Sequence, residues 1–166
     1  MATDIKDPRT LIGSAVYLGG SRFIGTIEDI ATPDLEFGEV ESGASLKRKA
    51  VVPVLEAIKA KISISGESEE LIAAFSNQVD SSTELTIKND TTTIKHDAIE
   101  VDMSGKVKIL KLPLPKAGEK IVAEMEINLD VYTYIVNGTK KIEIDTLNLI
   151  CSINGKDILE QTRTNL

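Results

Sequence analysis

The chain has 166 residues, 42% of them hydrophobic and 27% charged, and its formal net charge is −7. This size predicts a single domain, 1–166, with enough core to need no disulfide or metal, and the lone Cys151 cannot form an internal bridge. No apolar run approaches the ~20 residues of a membrane helix, and the N-terminus lacks the pattern of a signal peptide, so we expect cytoplasmic synthesis without membrane insertion. A pI near 4.8 argues against reading a nucleic-acid sequence through a basic surface.

The composition favours strands, because 21 Ile, 11 Val and 14 Thr suit a pleated sheet. Residues 1–11 mix charges with Pro8 and are predicted to form a flexible arm. A hairpin is expected at Gly19-Gly20, since adjacent glycines supply the positive φ of a tight turn. The polar stretch 38–49 begins acidic and ends basic, and it is the longest predicted loop.

The middle of the chain predicts a strand followed by a short helix. Apolar and polar residues alternate over 58–65, which places four apolar side chains on one face and lysines and serines on the other. Behind Ser68 as the N-cap, apolar residues recur at helical spacing over 71–79. We therefore predict an amphipathic helix that ends near Asp80.

Two further strands precede the longest alternating stretch. They are predicted at 85–88 and 99–103, and the threonines at 91–93 are expected to interrupt the first. The segment 112–115 contains two prolines and is predicted to mark an edge or a crossing. From 121 to 136 the odd positions are apolar except Thr133, and the even positions include Glu124, Glu126, Asn128, Asp130, Tyr132 and Tyr134. This predicts one long strand with a buried and a wet face.

Asn137-Gly138 is the strongest hairpin signal in the chain. Folding about it sets Thr133 opposite Ile142, and a bulge near Asp145-Thr146 would keep the apolar face continuous as far as Ile153. A ribbon of about sixteen residues on each side exceeds the usual strand length, so we expect it to belong to a sheet shared between subunits. After Asn154-Gly155 a short C-terminal helix is predicted to carry Ile158 and Leu159 on one side.

The residues predict no catalytic, cofactor-binding or metal site. His96 is interpreted as a solvated surface histidine, and Cys151 as a buried, inert thiol on the apolar face. Carboxylates mark the wet face of the long hairpin, and the same pattern would suit a glycosidase pair or Ca²⁺ only with further partners. A strand face of this kind would let a polyanion pass without sticking. These carboxylates are Glu124, Glu126, Asp130, Glu143 and Asp145.

The order and spacing of several motifs resemble the major tail tube proteins of contractile-tailed phages and of the phage-tail-like bacteriocins. The resemblance covers nearly the whole chain. The motifs are Val16-Tyr17, Gly20-Ser21-Arg22-Phe23-Ile24-Gly25, Pro33-Asp34-Leu35, Pro53-Val54, Gly118-Glu119-Lys120, Tyr132, Tyr134, Asn137-Gly138, Ile142-Glu143-Ile144-Asp145 and Asn154-Gly155-Lys156-Asp157-Ile158-Leu159.

The resemblance implies a mainly β, sandwich-like or barrel-like subunit with one flanking short helix, which contributes strands to an inner barrel shared around a hexameric ring. Rings stack into a hollow tube that conducts DNA, or another cargo, into the target cell when the surrounding sheath contracts. The implied partners are other copies of the chain, the sheath, the tape measure, the baseplate hub and the tail terminator. The implied location is the tail of a virion or tailocin particle, assembled in the bacterial cytoplasm.

Two surfaces are hypothesised for this assembly. The lumen-facing residues are Glu124, Glu126, Asn128 and Asp130. The loop 38–49 is assigned to contacts between subunits or rings. Its charged residues are Glu39, Glu41, Lys47, Arg48 and Lys49, and the three basic ones are expected to pair with a neighbouring subunit.

Three alternatives remain open at the level of sequence. One is the tube protein of a type VI secretion system, of the haemolysin-coregulated kind. Another is a monomeric ligand-binding β-barrel, which would form no rods. The third is a glycosidase using Glu124 or Glu126, against which the scarcity of aromatic residues argues.

Overall fold

The computed structural model describes residues 10–22, 26–65, 69–77, 80–92 and 96–166, and these are mainly β. The strands are β1 Thr10–Leu18, β2 Ser21–Arg22, β3 Thr26–Ala31, β4 Phe37–Ser42, β5 Arg48–Leu55, β6 Lys59–Ser65, β7 Thr83–Thr92, β8 His96–Lys111, β9 Val122–Val136, β10 Thr139–Asp145, β11 Ile150–Ile153 and β12 Lys156–Asp157. The helices are α1 Glu69–Asn77 and α2 Glu160–Asn165.

Ten strands form one antiparallel sheet in which β9 is central. The order is β12-β11-β10-β9-β8-β7-β1-β2, and β6 also pairs with β9 and carries β3 on its other edge. Strand β8 runs along one edge of β9 for nearly its whole length. The opposite edge is divided between β10 near the hairpin turn and β6 near the start of the strand. Within the described residues the sheet does not close into a barrel, because β3 pairs only with β6.

The core lies against the apolar face of this sheet. The predicted alternation of 58–65 is confirmed, since Ile58, Ala60, Ile62 and Ile64 are all buried. They stand next to Leu129, Ile127, Met125 and Ala123 on β9. Leu71 of α1 is fully buried at one end of the core, whereas Ile72 and Phe75 remain partly exposed. The helix therefore contributes a narrower apolar stripe than its spacing suggests.

A bulge at Asp130 reverses the buried side of β9. Ser104 pairs with Val131 but Gly105 pairs with Leu129, so Asp130 is the extra residue. Odd positions from 123 to 129 are buried before the bulge, as predicted, whereas Ile121 is exposed. Beyond the bulge Tyr132 joins the core beside Met103 and Ile144, and Thr133 on the opposite side is also buried. The prediction that the even positions stay on the wet face is therefore wrong for 131–136.

Gly105 explains why the bulge forms at this point. A Cβ atom at this position would overlap the backbone carbonyl of Asn128 on the neighbouring strand. Only glycine allows the two backbones to approach so closely, and isolated glycines in strands often mark such bulges.

The Asn137-Gly138 turn is confirmed, with φ values of 49° and 78° that are typical of a type I′ turn. The register beyond it differs from the prediction. The shift comes earlier, between Lys140 and Ile142, so Ile142 faces Tyr134 rather than Thr133. The returning strand also ends at Asp145, where the chain turns back and β11 pairs with β10.

The turn 146–149 replaces the predicted continuation of that strand. The Asp145 carboxylate accepts hydrogen bonds from the backbone N–H groups of Leu147 and Asn148, both at 3.0 Å, and from the Asn148 amide at 2.7 Å. These bonds hold the pKa of Asp145 below its ordinary value. Thr146 donates to the carbonyl of Asp130 from both its N–H and its hydroxyl. Asx-type bonding of this kind ends the strand, and Leu147 is left exposed.

Other boundaries also differ from the sequence predictions. Thr10 and Leu11 begin β1 instead of ending a flexible arm, and residues 1–9 lie outside the described part of the chain. Strand β7 includes Thr91 and Thr92, two residues of the predicted interruption, and Thr93 lies outside the described residues. Ile158 and Leu159 precede α2 and do not form one side of it. Ser68, the proposed N-cap of α1, also lies outside the described residues.

Candidate channel face and assembly hairpin

The outward side of β6, β9, β8 and β7 forms one continuous surface, which we call the polar face. Cross-strand pairing sets its members side by side. Its exposed and partly exposed polar members are Lys59, Lys61, Glu124, Glu126, Asn128, Lys106, Lys111, Ser104, Asp102, Glu100, Glu84, Thr86 and Lys88. The same pairing places Ile109, Val131, Ile135 and the buried Thr133 on this side of the sheet.

Lysines occupy the end of this face near the start of β9. The Glu124 carboxylate forms ion pairs with Lys61 at 3.2 Å and with Lys111 at 3.5 Å. These two lysines lie on the two strands that flank β9. The hydrogen bond and charge of Lys61, with a smaller contribution from Lys111, lower the pKa of Glu124. Asn128 lies between Lys59 and Lys106 in the same way. The β9 carboxylates are therefore embedded among cations.

The other end of the polar face is acidic. Glu100 pairs with Lys88 at 3.3 Å, and Asp102 accepts a hydrogen bond from Thr86 at 2.7 Å. Glu84 stands beside Ser104 on the same side. Glu143 of β10 extends this surface and pairs with Lys140 at 2.9 Å. Both ends thus carry mixed charge, with four lysines and two glutamates near the start of β9 and four carboxylates and two lysines at the other end.

Three of the four predicted lumen residues share the polar face. Glu124, Glu126 and Asn128 alternate along β9 before the bulge, whereas Asp130 is the bulge residue. The flanking lysines were not identified as site residues from the sequence. The alternation of β6 places its lysines on one face of that strand. To recognise them as neighbours of Glu124 one must also know that β6 pairs with β9.

The stretch 38–49 is a β-hairpin, which corrects the prediction of a loop. Strands β4 and β5 form a separate two-stranded sheet whose contacts are chiefly with each other, and every residue from 39 to 49 is exposed. A lone two-stranded hairpin is at best marginally stable in water. We call residues 37–55 the assembly hairpin.

Two of the three basic residues at the end of this hairpin are paired within the chain. Lys47 contacts Glu41 at 3.3 Å, and Lys49 contacts Glu39 at 3.5 Å. The expectation that all three pair with a neighbouring subunit stays a prediction. Within the described residues Arg48 has no ion pair.

The structure offers little for catalysis. His96 is exposed at the start of β8, with Nδ1 3.3 Å from Asp90. Cys151 of β11 is buried. This burial raises the pKa of its thiol, and the negative charge of Asp157 raises it further. No group of three His, Cys, Asp or Glu side chains in the described ranges is arranged to hold a metal. No helix in that part of the chain is long and apolar enough to cross a membrane.

Known proteins with similar sequences are tail tube proteins. The family model of phage tail tube protein FII matches residues 8–166. A curated relative, the tail tube protein of Escherichia phage P2, is 35% identical over 69 residues, which are 42% of this chain and 40% of the relative. The matched part thus spans less than half of that relative.

Two solved structures share the fold. One is the sheath/tube terminator of an extracellular contractile injection system, PVC, in its extended state; it has a TM-score of 0.60 and 13% identity, over 79% of this chain and 99% of that one. The other belongs to the sheath-tube complex of the same kind of system, with a TM-score of 0.57 and 14% identity, over 79% of this chain and 93% of that one. Because the family model covers nearly the whole sequence, the chain belongs to the phage tail tube protein FII family and is a structural tail tube subunit, not an enzyme.

Proposed function

We propose that six copies of this chain form a ring, that rings stack into the hollow inner tube of a contractile tail, and that the polar face lines the channel. The observation that carries the proposal is the polar face itself. It spans β6, β9, β8 and β7, and most of its side chains are hydrophilic, with Ile109, Val131 and Ile135 as aliphatic members. A surface of that size suits the wall of a water-filled channel.

The channel conducts DNA, or another cargo, after the sheath contracts. The paired charges of the polar face support passive conduction. Glu124 is neutralised by two lysines and Glu100 by Lys88, so a passing polyanion meets ion pairs instead of a uniformly attractive or repulsive wall. Each ring would repeat both the lysine-bearing and the acidic end. The tube is proposed to contact the sheath outside and the tape measure inside, and to end at the baseplate hub and the terminator.

The assembly hairpin is proposed to join subunits or rings. Its exposed valines support this role, since Val40, Val51 and Val54 are each more than half exposed on a hairpin that packs on little else. Burial of such side chains against a neighbour would stabilise both the hairpin and the assembly.

Electron microscopy of the purified full-length chain at increasing concentration tests the assembly. Rings of six and rods with a central hole are expected, and a species that stays monomeric at all concentrations would refute the proposal. The lining is tested in assembled particles with Glu126→Lys and Asn128→Lys, against Glu160→Lys on α2 as the matched control. The first two variants should assemble normally but slow DNA ejection, while the control should do neither.

Release of DNA by the native particle separates a virion tail from a tube that carries other cargo. Detection of DNA in the lumen or in the ejected material supports conduction of a genome. A particle without DNA that still penetrates target cells would point to the tailocin or secretion-type alternative, with the same tube.

A further inference from the structure

An apolar cleft lies between β3 and the core-side surfaces of β1, β7 and β8. Its volume is about 320 Å³. The aliphatic part of its lining is Leu11, Ile27, Ile30, Ile87 and Val101. It sits where the sheet fails to close, beside the edge of β3 that pairs with no other described strand. A cavity of ~150 Å³ can hold benzene, so this cleft has room for a branched aliphatic side chain and part of its neighbours.

Asn89 provides a polar group inside this cleft. Its Oδ1 atom is buried, and no donor among the described residues reaches it. An unsatisfied buried acceptor is costly, and a native protein normally supplies its partner. A donor from outside the described part of this subunit would satisfy it.

The rim of the cleft carries two acidic residues, Glu28 and Asp29. Glu28 is engaged by the hydroxyl of Ser65 at 2.6 Å and by Lys120 at 3.4 Å, which together lower its pKa. Asp29 beside it has no ion pair within the described ranges. The rim therefore offers one negative charge to an incoming cation.

The tip of the assembly hairpin has matching chemistry. Leu46 is 89% exposed there, and among the large hydrophobic residues of the described part of the chain only Leu114 is more exposed. Lys47 and Lys49 are held by the hairpin's own glutamates, which leaves Arg48 as the basic side chain able to bind elsewhere. An apolar side chain and a guanidinium thus stand two residues apart on an exposed turn.

We propose that the hairpin tip of one subunit docks into the β1–β3 cleft of another copy of the chain, with Leu46 among the aliphatic side chains and Arg48 against Asp29. A hydrogen-bond donor of the hairpin tip then reaches the Oδ1 atom of Asn89. This docking deepens the proposed function and rests on it, because it requires a tube in which copies contact one another. Charge complementarity between Arg48 and Asp29, neither of which forms an ion pair with another described residue, is what selects this occupant.

A charge exchange tests the pairing in the full chain. Arg48→Glu and Asp29→Arg should each raise the concentration needed for tube formation about tenfold, and the double variant should return it close to that of the unchanged protein. Arg48→Glu combined with Asp34→Arg is the matched control, since Asp34 lies outside the cleft, and no recovery is expected. Unchanged thermal unfolding of each monomer shows that the variants fold.

Cysteine cross-linking tests the location. A Leu46→Cys chain mixed with a Leu11→Cys chain should give a disulfide-linked dimer in assembled tubes, and the buried Cys151 contributes little background. Leu46→Cys mixed with Leu147→Cys, an exposed position outside the cleft, should not. Tubes that form without this cross-link and without rescue by the double variant would overturn the docking while leaving the tube function intact. A native chain that never forms rings or tubes would overturn both.

Discussion

Substitution of Gly105 by alanine should destabilise the subunit, because Gly105 lies at the bulge where the buried side of β9 changes. The new Cβ atom would overlap the carbonyl oxygen of Asn128, and rigid backbone on both sides leaves no flexible group to move. Overpacking of this kind costs about 1–3 kcal/mol. Separation of the strands would also weaken one or two ladder hydrogen bonds, at about 1 kcal/mol each.

The expected loss of unfolding free energy is therefore about 3 kcal/mol. For a chain of this length, 1 kcal/mol corresponds to roughly 2–4 °C in melting temperature, so Gly105→Ala should melt about 6–12 °C below the unchanged protein. Differential scanning calorimetry and urea titration followed by circular dichroism measure this loss.

Gly13→Ala is the matched control, because a Cβ at Gly13 meets no atom within 4 Å and the position carries no positive φ. It should stay within about 0.5 kcal/mol of the unchanged protein. Equal melting temperatures for the two variants would refute the close approach of β8 and β9 at the bulge.

Three further outcomes follow from buried and paired groups. Leu71→Ala should cost about 2–5 kcal/mol in a urea titration because the side chain is fully buried, whereas Ile72→Ala on the same helix should cost less than about 1 kcal/mol. Cys151 is buried and its pKa is raised, so an aromatic disulfide reagent at pH 8 should react with it only as fast as the protein unfolds; rapid labelling of the folded chain would contradict its burial. Arg163 and backbone N–H groups lower the folded-state pKa of Asp157, so its stabilisation is present above the unfolded pKa of about 4 and is lost as pH falls through the folded value. Melting temperatures measured from pH 6 to pH 2 should therefore fall less steeply for Asp157→Asn, and identical slopes would argue against the pairing.

Local patterns predicted much of the fold. The alternation of β6, the first half of β9 and the Asn137-Gly138 turn depends on side-chain periodicity and on turn chemistry within a few residues. Those elements form as expected. The motif resemblance led to the correct family, although no single motif is specific to it.

The misassigned elements depend on interactions that a pattern within one strand does not contain. The reversal at Asp130 requires the close approach of Gly105 on another strand. The end of β10 requires the Asp145 carboxylate to bond the following turn, and Leu149 adopts a positive φ of 53° there although it is not glycine. The sequence does contain an isolated glycine, which is typical of a bulge, and an Asp-Thr-Leu-Asn segment, which is typical of a turn. The apolar periodicity of the same segments favoured uninterrupted strands instead.

The same limit applies to the candidate channel surface. Acidic residues along β9 are evident from the sequence, but the balance of charge on a sheet depends on which strands lie beside it. Lys61 and Lys111 come from other segments of the chain, and both form ion pairs with Glu124, so this part of the predicted acidic stripe is neutralised.

The divided edge of β9 has a mechanical consequence. Antiparallel ladder hydrogen bonds lie perpendicular to the strands, so a force applied along a strand loads all of them at once. β9 is held along one side by β8 and along the other by β10 and β6 in succession, which leaves little of its length bonded on one side only. Sliding this strand out of register would require the simultaneous rupture of both rows of bonds. Within the described sheet, β9 is therefore held on both sides along most of its length and resists shear along its axis.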